Sequence, residues 1–257
     1  MENLCRLWGA LDDRFERVEP HPWGAVVTDR RFPDVWDVNY ARVERMQPGL
    51  TLAGIQRSLD PALARVGATH RHLVLFDPDE MSEILVAGSS RGAVVTWDSV
   101  MSAAVSDVGP PPPEPLVEEV EHADAAFLAE IRGSLAEFDV EDDRVADQLM
   151  AIETTILLHA GKRWFRVVAD EGLASLGSLL RLGEEALVDH IVTFAFARRR
   201  GYAEAIVRSI ARAAGADGAS TLLLMADPDG PAERLYERIG FRRARTIASL
   251  RERRRSG

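Results

Sequence analysis

"VTFAFARRRGYAEAIV", residues 192–207, joins a β-prone apolar run to a helical one through three arginines and a glycine. Cations at a helix N-terminus oppose the helix dipole. Arg198, Arg199 and Arg200 therefore need some other reason to stand there. Beyond Gly201, apolar residues recur at Ala203, Ile206, Val207, Ile210, Ala211 and Ala214, the spacing of one face of an amphipathic helix. The first turn of such a helix leaves backbone N–H groups without intrahelical partners, which makes it an anion site. Glycine permits close approach of a ligand to the backbone, and the small Ala203 leaves the same room. A bound anion, most simply a phosphate, accounts for the arginines. A solvated basic corner accounts for them equally well.

The second reading has weight because 31 − 1 = 30 of the 31 basic residues are arginine, Lys162 being the one lysine. Such a bias points to a GC-rich, bacterial genome, so an arginine signifies little without a special position. The net charge of −10 argues against a general nucleic-acid binder and mildly favours cationic small substrates. Cys5 is the only cysteine, which excludes an intramolecular disulfide and a cysteine-cluster zinc site. The N-terminus lacks the apolar core of a signal peptide, and no apolar run is long enough to cross a bilayer. A cytoplasmic protein with no membrane partner is expected.

Working outward, "ALVDHIVTFAF" (186–196) reads as the strand that feeds the arginines, and "TLLLMAD" (221–227) as the strand after the helix. Met225 in the latter is expected in the core. "PAERLYERIG" (231–240) follows as a helix and "FRRARTIASL" (241–250) as a strand. Upstream lie strands at 115–121, 163–170 and 173–182, and two helices, one capped by Asp124 and one at 144–160. The order is β-α-α-β-β-β-α-β-α-β. Ahead of it "GPPPPEP" (109–115) reads as a semi-rigid polyproline spacer. The N-terminal half has strands at 23–29, 70–77 and 93–101 and a strand or short helix at 39–45. It also has helices at 52–67, interrupted at Pro61, and at 80–92. The expected division is 1–108, a linker 109–115, and 116–257.

"RRRGYA" (198–203) resembles the arginine/glutamine-x-x-glycine-x-glycine/alanine signature of the GNAT acyltransferase superfamily. "AERLYERIGF" (232–241) is similar to that family's second motif, and the element order matches as well. The resemblance covers residues 115–250. It implies an α/β (α+β) protein of two GNAT-like mixed-sheet domains. "HRHLVLFDPDEMSEILVAGSSRGAVVTW" repeats the strand–helix–glycine–strand order of the second half without its signature, so the N-terminal half resembles a degenerate copy that has lost coenzyme A binding. It is expected to help form the acceptor pocket, with Trp23, Trp36, Tyr40 and Trp97 either as apolar walls or simply as core.

What the resemblance implies chemically is acetyl-CoA as co-substrate, no metal, and transfer of the acetyl group to a primary amine of a small molecule by direct attack. The pyrophosphate would lie on the backbone near Arg199, Arg200, Gly201, Tyr202, Ala203 and Glu204. The pantetheine arm would pair with Ile191, Val192 and Thr193 as an added strand. The third phosphate would meet one of the arginines, Arg198 included. The departure lies at Ala195–Ala197, where many relatives carry a proline and an acid. Tyr236 matches the family's acid for the departing thiolate; packing is its alternative role. Asp189 leads as base because strand alternation puts its side chain with those of Ile191 and Thr193, and that of His190 opposite. Glu185 is a second candidate. His70 and His72, at i and i+2, lack a third metal ligand. The alternatives are an acyl-CoA sensor, a catalytically weakened paralogue, or a scaffold, as a monomer or homodimer.

Overall fold

The structure is a computed structural model that describes residues 2–253. The chain forms two compact units, residues 1–99 with 245–257, and residues 100–244.

The first unit opens with helix α1 (Glu2–Asp12) and strand β1 (Arg17–His21), neither of which the alternation of its residues suggests. Strands β2 (Gly24–Thr28), β3 (Tyr40–Val43) and β4 (His70–Leu75) follow, with α2 (Leu52–Val66) between the last two and α3 (Ser82–Ser89) after them. β1, β2 and β3 pair antiparallel, and β3 lies parallel to β4. A further strand of the sheet comes from the far end of the chain: in β11 (Arg242–Arg253), residues 248–253 pair antiparallel with β4, from Ala248↔Leu75 to Arg253↔His70. Val26, Ala41, Leu73, Ala248 and Leu250 from the sheet bury against Ile55, Leu59 and Leu63 of α2. α2 runs straight through Pro61 rather than breaking there. Pro61 and Arg57, whose carbonyl loses its donor, both stand on the exposed side of the helix, where a missing backbone bond costs least.

The second unit begins inside strand β5 (Val94–Ala104). Strand β6 (Glu118–Val120) leads to helix α4 (Ala125–Ser134), whose N-terminal Phe127 N–H is accepted by the Asp124 carboxylate as the sequence predicts. α5 (Asp143–Ile152) continues into a π-helical turn, Glu153–Leu157. Strands β7 (Arg163–Ala169), β8 (Gly172–Leu182) and β9 (Glu185–Thr193) form an antiparallel meander. Helix α6 (Tyr202–Ala216) crosses to β10 (Thr221–Ala226), which lies parallel to β9, and α7 (Pro231–Arg238) leads into β11. The expected element order is therefore present. One sheet face packs on α6, where Ile206, Val207, Ile210, Ala211 and Ala214 are buried. The other face packs Trp164, Leu176 and Val192 against Phe127 and Ile131 of α4.

The division differs from the expected one. Met101, Ala103 and Val108 belong to the second unit's core and Val117 packs against it, so the polyproline stretch is bracketed by residues of one unit. Met225 is 43% exposed, against the core position expected of it, and Trp97, expected as either an apolar wall or core, is equally exposed. Trp23 and Tyr40 are buried within the first unit.

Candidate functional site

β9 and β10 pair only from Thr221↔Glu185 to Leu223↔Leu187, although β9 continues to Thr193 and β10 to Ala226. The two parallel strands thus part, and β9 from Val188 onward offers its backbone edge. Beside this opening the chain turns through Ala195–Ala197, and Arg199 (φ 64°) and Gly201 (φ 80°) take left-handed conformations ahead of α6. No side chain caps the helix. A Cβ built on Gly201 would meet nothing within 4 Å, so the space before the first turn is open.

These features line one cavity of about 660 Å³. Its wall includes Ile191, Val192, Thr193, Arg198, Arg199, Gly201, Tyr202, Ala203, Glu204 and Tyr236, which the sequence singles out. Ala232, Leu235 and Arg238 of the 232–241 motif also line it, with Pro231 just before them; Glu137 and Phe138 line it too, and no sequence motif marks those two. Ala203 belongs to this wall and not to the buried face of α6. The three arginines divide. Arg198 donates through Nε to the Thr193 carbonyl at 3.1 Å and through Nη2 to Glu137 at 2.7 Å. Arg199 makes no hydrogen bond or ion pair among the described residues. Arg200 lies off the cavity, 3.8 Å from Glu171.

Tyr236 owes its place to the start of α7. Pro231 stands at the first helical position, where no N–H is needed. Glu233, buried, accepts from the Asp229 N–H and is held by the Arg243 guanidinium at 2.6 and 2.7 Å. Tyr236 follows one turn later, its ring against Phe241. Burial first, and the charge of Asp189 second, push its phenol up to about 12. It therefore holds its proton through the physiological range.

Asp189 is not where alternation puts it. Between Leu176↔Val192 and Ser178↔Asp189 the register slips, with His190 and Ile191 facing the single residue Gly177. This β-bulge turns Ile191 to the α6 face with Val188, three residues away, and leaves Asp189 toward Lys162. His190 stands at the bulge with φ 55°. Its Nε2 lies 2.7 Å from Ser134 Oγ, and the rings of Phe138 and Trp164 meet it edge-on. Burial depresses its pKa to about 4, against the opposing effect of Asp189. Asp189 is half exposed and acts on the Tyr236 phenol through space, but it does not line the cavity; neither does Glu185, buried at the start of β9.

No group of three or more metal-ligating side chains occurs among the described residues, and no helix among them is long and apolar enough to cross a membrane. His70 stacks on Trp36, and His72 bonds to Ser249, inside the first unit.

Comparison with known proteins places this geometry. A family model described as FR47-like protein matches residues 179–250, the stretch that carries the parted strands, α6 and α7. No curated protein matches the sequence. A functionally unknown conserved protein from Staphylococcus epidermidis superposes with a TM-score of 0.76 at 10% identity, over 93% of this chain and 94% of that one. A GCN5-related N-acetyltransferase from Kribbella flavida gives 0.67 at 16% identity, over 98% and 96%. A tandem GNAT protein from the clavulanic acid biosynthesis pathway gives 0.56 at 13% identity, over 83% and 75%. The fold of the chain is the one these acetyltransferases share.

Proposed function

We propose that the protein is an N-acetyltransferase that binds one acetyl-CoA per chain and acetylates a primary amine of a small molecule. The observation that carries this reading is the opening of β9 from β10 beside an uncapped helix N-terminus, with Tyr236 in the same wall. The residues present fit the co-substrate. The first-turn N–H groups of α6 suit a pyrophosphate, and the open space at Gly201 lets it approach. The unpaired edge of β9 suits an amide-bearing arm that pairs as a strand does. Arg199 is the cation left available for a further phosphate.

Acetyl-CoA supplies an activated thioester. The amine nitrogen forms a bond to its carbonyl carbon as the carbon–sulfur bond breaks. Tyr236, protonated, gives its proton to the departing sulfur, and the second proton shed by the nitrogen as the amide forms restores the phenol. The attacking amine must first shed a proton, and Asp189, half exposed and beside the bulge, is the acceptor this reading assigns. Among the described residues the first unit shows no second parting of this kind: β3 and β4 stay paired to Val43↔Leu75, and the Phe76 N–H still donates to the Val43 carbonyl beyond it. This supports reading that unit as a degenerate copy.

Calorimetry with acetyl-CoA should give a stoichiometry near one on the full chain, and mass spectrometry should find acetylated product from an amine panel. Gly201→Val should abolish binding, because its side chain would fill the approach and take up a left-handed conformation at a cost of about 1–3 kcal/mol. Undiminished acetyl-CoA affinity in that variant would remove the phosphate site from the α6 N-terminus.

A further inference from the structure

In a chain that uses arginine for nearly every basic position, the one lysine is buried. Lys162 Nζ donates to Glu153 Oε2 at 2.8 Å, lies 4.6 Å above the Trp164 ring, and stands 3.8 Å from Asp189 Oδ2. The other Glu153 oxygen accepts the Trp164 indole N–H at 2.6 Å. Glu153 begins the π-helical turn that interrupts the end of α5. Such turns recur at functional sites.

Stability does not explain this arrangement. Two charges taken out of water lose hydration that their attraction barely returns, and an apolar pair of the same size is often as stable. Arginine would bring a broad planar fork where only a compact point charge is needed. Glu153 and Lys162 cancel each other, and the depressed His190 beside them is neutral above about pH 4. Asp189 is the charge that remains. No hydrogen bond holds its side chain among the described residues, and it is half exposed to solvent.

We propose that Lys162 is a positioning residue for the acceptor: locked by Glu153 and Trp164, it holds the Asp189 carboxylate at the β9 bulge to receive the ammonium of a cationic amine. The substrate class follows from the charges. A carboxylate next to the reacting amine would lie against the Asp189 carboxylate, and Lys162, the cation beside Asp189, is already engaged by Glu153. Amines without such a carboxylate are the preferred acceptors. The inference rests on the acetyl-transfer reading above.

The test uses the full chain, acetyl-CoA and two matched pairs of probes, phenethylamine against phenylalanine and cadaverine against lysine. The decarboxylated member of each pair should be the better substrate by kcat/KM. Lys162→Met should raise KM for the amine by roughly tenfold, the scale of one charge-assisted contact, with KM for acetyl-CoA unchanged. The same substitution should add nothing in an Asp189→Asn background, because a residue acting only through Asp189 has no effect once that carboxylate is gone. Should Lys162→Met fail to fold, Lys162→Met with Glu153→Gln removes both buried charges, keeps an acceptor for Trp164, and should show the same loss. An unchanged amine KM, a loss that adds to that of Asp189→Asn, or preference for the amino acids would each overturn the proposal. A wild-type chain that binds acetyl-CoA yet acetylates none of the four would refute the acetyl-transfer reading, and this inference with it.

Discussion

Tyr236 and His190 are both buried titratable groups, and burial moves them in opposite directions because it disfavours whichever form carries charge. For Tyr236 the neutral phenol is favoured, with a folded-state pKa of about 12 against an ordinary 10. Its proton is therefore available to a departing thiolate at any pH where the protein works. Tyr236→Phe keeps the ring against Phe241 and removes only the hydroxyl. We expect kcat to fall by roughly 10²–10⁴-fold while acetyl-CoA affinity in calorimetry stays unchanged. An unchanged kcat would reduce Tyr236 to a packing residue. For His190 the neutral imidazole is favoured, with a pKa of about 4 against an ordinary 6.5. Below pH 6.5 the unfolded chain binds a proton that the folded chain refuses. Its contribution is complete above that pH and is lost as pH falls through about 4. Denaturant melts should show a loss of stability across this window that His190→Gln flattens. Identical pH slopes for both proteins would show that His190 is not held neutral.

At the scale of elements, what the sequence discloses is periodicity, and what it hides is any departure from periodicity. The apolar stripe of α6 is legible because Ile206, Val207, Ile210 and Ala214 repeat with the helix, and the structure buries all four. The cavity residues from Ile191 to Glu204 are legible through the family resemblance that "RRRGYA" carries, since the glycine and arginines alone fit a solvated corner equally well. The bulge is not. "VDHIVT" alternates as one strand, and an inserted residue leaves no trace in composition, so parity puts Asp189 with Ile191, which the bulge undoes, whereas His190 does lie opposite Ile191. The same blindness conceals Glu137 and Phe138, which reach the cavity from a short turn after α4. What makes the bulge possible is Gly177. A Cβ there would lie 2.7 Å from Ile206 Cγ2 and closer still to Ile191. Gly177→Val should therefore push Ile191 outward and shift the β9 edge, destabilising the fold by about 1–3 kcal/mol through overpacking. Acetyl-CoA affinity should weaken with it. Unaltered thermal stability and affinity would mean that the bulge yields without moving the slot.

At the scale of the whole chain, the units are not consecutive segments. The chain passes from the first to the second within β5, after Ser99, and returns within β11, after Ala244. Both crossings occur inside strands, where a sequence carries no boundary signal, whereas the conspicuous prolines at 110–113 lie within one unit. A cut at the prolines therefore divides both cores. The fragment 114–257 would lose Met101, Ala103 and Val108 from its own core and would carry Ala248 and Leu250 with nothing to bury them. The fragment 1–113 would leave β4 without its antiparallel neighbour. Leu250 alone, fully buried, is worth about 2–5 kcal/mol, a large share of the stability of any single domain. We expect neither fragment to give a cooperative thermal transition by circular dichroism. Removal of residues 245–257 should likewise abolish the first unit's transition, because it strips the strand that pairs with β4 and buries Ala248 and Leu250 in that core. A sharp transition from fragment 114–257, with acetyl-CoA affinity equal to that of the full chain, would show that the exchanged strands are dispensable to the site.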